Sequence, residues 1–121
     1  MAEQGYPNFA GQPGARYYAF SIDGSEVTSA ASTAGLDGRG KAIATIADAA
    51  GATQTITFNR AFSEAPYVFV QAKTANGAAN VSVTASALTL VGVERDDNTA
   101  GLADQDFDVF IYSHDTTQFI L

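Results

Sequence analysis

The chain has 121 residues, 46% of them hydrophobic, and a formal net charge of −7. That length suits one domain with its own core, and the composition excludes global disorder. The acidic balance, with Arg16, Arg39, Lys41, Arg60, Lys73 and Arg95 scattered, argues against a nucleic-acid partner, and the lack of cysteine excludes disulfides and thiolate metal sites.

The N-terminus, Met1 to Pro7, has no basic region and no apolar run, so it is not a signal peptide. No stretch approaches the ~18 apolar residues of a membrane span, and no membrane partner is expected. Residues 1–14 carry Gly5, Pro7, Gly11, Pro13 and Gly14, which argue against regular structure. Tyr6 and Phe9 sit among them. Either this is a terminal tail without order, or it is an extended arm whose two rings plug into another surface.

The domain proper is read as residues 15–121. Arg16 to Ile22 predicts a first strand. Asp23-Gly24 predicts a turn, and Glu26-Val27-Thr28 the start of a second strand. Residues 29–40 are small and Gly-rich and read as loop. Residues 41–48 permit helix through their alanines and strand through Thr45 and the two isoleucines; strand is preferred. Gln54 to Phe58 alternates polar and apolar. Phe62 then reads as a buried anchor in a short connector, and Pro66 opens a strand to Lys73, the end of a strand where proline is tolerated. Asn76-Gly77 predicts a hairpin from that strand into Asn80–Ala85. Strands are also expected over 88–93, 106–112 and 117–121. Residues 94–106 read as an acidic, solvated loop.

Many short strands with frequent turn signals predict an all-β protein. The expected architecture is an antiparallel β-sandwich or barrel, jelly-roll-like, behind an extended N-terminal arm. Two strands are apolar on both faces. One carries Phe107, Val109 and Ile111 against Asp108, Phe110 and Tyr112; the other carries Val68, Val70 and Ala72 against Tyr67 and Phe69. A half-exposed antiparallel strand has one polar face, so these need a second cover. Loops of the same chain or a neighbouring subunit could supply it. A chain this small has little spare material, so a homo-oligomer is preferred, and Phe110 and Tyr112 join Tyr6 and Phe9 as candidate partner-anchoring residues. The apolar end Phe119-Ile120-Leu121 points the same way.

Catalytic chemistry finds no support. His114 is the only histidine, so multi-histidine metal ligation is impossible, and Asp115 beside it makes no dyad. The acidic 94–106 segment lacks the alternating carboxylates and closing Glu of an EF-hand. Asp106 and Asp108 share a strand face, yet nothing in the sequence sets them across a cleft as a glycosidase needs. No catalytic residue and no cofactor are expected.

Residues 54–70 and 106–113 resemble H-type-lectin-like β-sandwich domains, which recur at phage tail-fibre tips. The resemblance rests on Ile56, Phe58, Phe62, Pro66, Val68, Phe107 and Phe110 and covers roughly half the chain. The last aromatic strand holds no Trp, where that family often has one, and no sugar-binding residues carry over. The whole chain is similar in type to small phage capsid decoration (cement) proteins: short, Cys-free, β-rich, commonly trimeric, with extended arms. These resemblances imply a non-enzymatic virion protein that decorates a capsid. Its partners would be its own copies, a trimer above all, and the major capsid protein. The alternative they imply is a lectin-like tail-fibre domain that binds host glycan.

Overall fold

The computed structural model of the chain describes residues 16–113. Among the described residues eight strands form two antiparallel sheets, so the expected β-sandwich is what the chain forms. In chain order they are β1 (Arg16–Ile22), β2 (Ala44–Ala49), β3 (Thr53–Phe58), β4 (Tyr67–Ala72), β5 (Gly77–Val83), β6 (Ala87–Glu94), β7 (Asp97–Gly101) and β8 (Phe107–Ser113). A three-stranded sheet has the order β1-β8-β4. A five-stranded sheet runs β2-β3-β6-β5, with β7 also paired to β6.

The core lies between the sheets. Alternation sends Tyr18, Phe20 and Ile22 of β1, and Phe107, Val109 and Ile111 of β8, inward to near-complete burial. Val68, Val70 and Ala72 of β4 pack against them. Ile46, Ile56, Leu88 and Leu90 close the core from the five-stranded sheet. Phe58 and Phe62 meet edge to face at 5.0 Å and both are buried. The connector between β3 and β4 thus holds the anchor its sequence predicts, while Pro66 stands one residue before β4 and not at its first position.

Four expectations need correction. Residues 41–48 are not one strand: a short helix α1 (Gly38–Ile43) precedes β2. Asp37 caps it, its carboxylate accepting from Gly40 N at 2.9 Å. Residues 26–28 form no strand. A 3-10 turn (Gly24–Glu26) stands there, with Asp23 accepting from Ser25 N. Gly24 is required at that spot, because a Cβ would lie 2.1 Å from the Gln105 carbonyl oxygen. Asn76-Gly77 closes no hairpin, since β4 and β5 belong to different sheets. Asn76 does take a left-handed turn, with φ of 60°, but the turn carries the chain across the sandwich. The hairpin there is β5–β6. Finally, the acidic 94–106 segment contains β7, folded back on β6.

Gln105 holds the return from β7 to β8. It is 1% exposed, and its amide donates to the carbonyls of Ala78 and Val93 at 3.0 and 3.1 Å. It stands two residues before β8 begins at Phe107.

Candidate functional site

The outer face of the three-stranded sheet is aromatic. Register sets it out in rows across β1, β8 and β4. The first row is Tyr17–Tyr112–Tyr67, the second Ala19–Phe110–Phe69, the third Ser21–Asp108–Gln71. In the first row the Tyr112 ring stands 5.0 Å from Tyr17 and 6.0 Å from Tyr67, tilted against each. Such spacings lie in the favourable range for aromatic pairs. Tyr17 is 66% exposed, Tyr67 63%, Phe69 68% and Phe110 54%. Tyr112, at the centre of its row, is half-buried between its neighbours. The rings line an open concavity of about 730 Å3.

The third row closes this aromatic tile with polar groups that satisfy one another. Ser21 Oγ donates to Asp108 Oδ1 at 2.8 Å, and Lys73 Nζ lies 3.5 Å from the same oxygen. Beyond it, a polar cleft of about 490 Å3 includes Asp23, Glu26, Asp37, Lys41, Lys73 and Asp106. Three of those carboxylates already hold the fold. Asp23 accepts from Ser25 N, Asp37 from Gly40 N and Ser21 N, and Asp106 from Gly24 N. Burial works to raise the Asp37 pKa. The hydrogen bonds from Gly40 N, Arg39 and Ser21 N, with the Arg39 charge, outweigh it and leave the group below the ordinary carboxylate value. Among the described residues, no group of three His, Cys, Asp or Glu side chains is placed to hold a metal ion. No helix of the described residues is long and apolar enough to cross a membrane.

Of the partner-anchoring candidates, Phe110 and Tyr112 stand next to each other in the tile. Tyr6 and Phe9 lie outside the described residues, as do His114 and the 117–121 strand. Tyr17 belongs to the tile and sequence reasoning passed it over. Arg16-Tyr17-Tyr18 puts aromatics on both faces of β1, the same signal that marked β4 and β8. Asp106 precedes β8 and bonds Gly24 N, while Asp108 bonds Ser21, so this pair is taken up by structure.

In comparisons with known proteins, no family model matches the chain, and neither a curated protein nor a solved structure matches it.

Proposed function

We propose that the chain is a non-enzymatic virion structural protein that decorates or cements a bacteriophage capsid, assembling in the host cytoplasm. In this proposal the β-domain associates with its own copies, a trimer favoured. The N-terminal arm, through Tyr6 and Phe9, anchors each copy to the major capsid protein or another virion protein. Many weak contacts on a symmetric shell then add by multivalency. One observation carries the assembly part: the outer face of the three-stranded sheet presents four largely exposed aromatic rings, where an uncovered antiparallel sheet presents polar residues. The virion setting rests on the likeness in type to decoration proteins.

A second reading draws on the first row of the tile. Three tyrosines side by side offer ring faces for stacking and hydroxyls for hydrogen bonds. That chemistry suits a sugar, and it favours a lectin-like tail-fibre domain as the rival.

Replacing Tyr6 and Phe9 by Ser in the full chain, or deleting residues 1–14, separates the two. On the decoration reading, binding to undecorated capsids is lost while the oligomeric state persists. Unchanged particle association sinks the anchoring arm. Tight glycan binding by a chain that never joins particles moves the assignment to the lectin class.

A further inference from the structure

We infer that the aromatic tile is covered by the same face of a second copy of this chain. This rests on the self-association in the assembly reading above. Because the same face meets the same face, the contact is two-fold and makes a dimer, where that reading favours a trimer.

Area favours a protein face as the occupant. A fully covered aromatic side chain buries about 150–250 Å2, so Tyr17, Tyr67, Phe69 and Phe110 at their exposures present about 500 Å2 together. That sits toward the upper end of the ~300–600 Å2 found for the largest apolar patch on a monomer. It supplies more than half of the ~800 Å2 each partner contributes to a standard interface. The polar third row extends the same surface.

Charge permits two identical faces to meet. The tile itself carries no charged side chain in its first two rows. In the third, Asp108 is paired within its own copy by Ser21 and Lys73. Two such faces bring together neutral rings and internally neutralised borders, so like charges do not oppose the contact.

The edge of β1 is occupied over its second half, which limits strand addition on that side of the sheet. Asp37 takes both backbone groups of Ser21: its carboxylate accepts from Ser21 N at 3.1 Å, and its own N–H donates to Ser21 O at 3.1 Å. Ile22 bridges Leu36 just beyond. A strand cannot be added there.

The chain's own C-terminal segment is the competing occupant. It departs from Ser113, the residue after Tyr112. In an extended segment 117–121, alternation turns Phe119 and Leu121 to one side and Ile120 to the other. Two apolar side chains along one strand, about 5 Å wide, leave most of a tile three strands wide in contact with water. A second sheet face covers all rows at once, and closed symmetry makes the contact self-limiting.

The test is sedimentation velocity with light scattering on the full-length chain and three variants. The wild type is expected to be a dimer or an assembly built of dimers; a trimer overturns the face-to-face contact while the assembly reading stands. Phe69→Ser/Phe110→Ser, with unchanged far-UV circular dichroism, is expected to be monomeric, its association weakened by about 100-fold, as for hot-spot aromatics. Val81→Ser removes the exposed apolar residue of the five-stranded sheet and leaves the oligomer intact. Phe119→Ser/Leu121→Ser also leaves it intact. An oligomer that survives the double phenylalanine substitution overturns the tile as the interface while the assembly reading stands. A wild-type monomer at every concentration overturns both. A monomer whose tyrosines open to quencher only in the Phe119→Ser/Leu121→Ser variant assigns the tile to the tail and overturns this inference.

Discussion

The two sheets turn opposite kinds of surface outward. The outer face of the five-stranded sheet is small and hydroxylated, with Thr45 against Thr57, Ala47 against Thr55, Thr55 against Thr89 and Ser82 against Thr89. This is the polar-out alternation of an antiparallel sheet that faces water. The outer face of the three-stranded sheet places tyrosine and phenylalanine at the equivalent positions. Both faces belong to strands of similar length on one core, so fold stability does not require the difference. It teaches that one core can carry two outer faces of opposite chemistry, and the assembly proposal rests on that difference.

The strongest way to break that comparison is to separate the two faces of β8. Ile111 is 1% exposed and its neighbour Phe110 54%. Ile111→Ala is expected to cost about 2–5 kcal/mol in urea unfolding, through lost burial and a cavity. Phe110→Ala is expected to cost the dissociated monomer less than about 1 kcal/mol, because a single exposed ring gains little on folding. Its effect belongs in association. If Phe110→Ala destabilises a dilute, monomeric sample as much as Ile111→Ala does, the ring is part of the fold and the tile loses its special standing.

The next effect tests what sets the register of the tile. Gln105→Leu is expected to destabilise by about 1–3 kcal/mol, because the carbonyls of Ala78 and Val93 lose a buried donor. Its volume is kept, so the loss reports hydrogen bonding more than a cavity. Thermal unfolding checks it. A neutral outcome would show that β8 finds its place without this amide.

Much of this was legible in the sequence, and the exceptions have physical causes. Period-two alternation with apolar residues on both sides of 66–72 and 106–112 revealed the two faces of β4 and β8, because a strand's side chains alternate whatever its partners are. Asn76-Gly77 reads as a hairpin; Asn76 does turn with a left-handed backbone, but no hairpin forms there. A turn into a hairpin and a turn across a sandwich ask the same of those two residues, so local chemistry could not choose between them. The helix α1 hid behind a run of glycine and alanine; its cap, Asp37, was the available signal. β7 gave none. Its residues are mostly exposed, so it has no buried face to print a pattern. The tile was half visible: Phe110 and Tyr112 were picked out, while Tyr17 and the row that joins it to Tyr67 needed the register.

A smaller effect sharpens the claim that the edge of β1 is closed over its second half. Asp37→Ala removes an N-cap and the acceptor of Ser21 N, with an expected cost of about 1 kcal/mol at neutral pH. The carboxyl of Asp37 has its pKa lowered in the fold. A lowered folded pKa gives stability that is present above the unfolded value and disappears as pH falls through the folded one. The gap between wild type and Asp37→Ala should therefore hold steady down to the ordinary carboxylate value of 3.8 and close below it. A gap independent of pH would assign the effect to lost packing, with the charge irrelevant.

The smallest expected effect lies on the face that water covers. Thr55 and Thr89 stand opposite each other on β3 and β6, both partly exposed. Thr55→Val/Thr89→Val keeps the branched shape and removes two hydroxyls. Changes at such surface positions usually stay within about 0.5 kcal/mol each, and the sedimentation profile should be that of the wild type. The double variant thereby makes the outer face of the five-stranded sheet modestly apolar without rings. If that alone promoted association, any dry patch on this sandwich would be sticky, and the aromatic rows would be one instance of a general tendency. If it does not, the rings of β1, β4 and β8 are distinguished by their size and register as well as by being apolar.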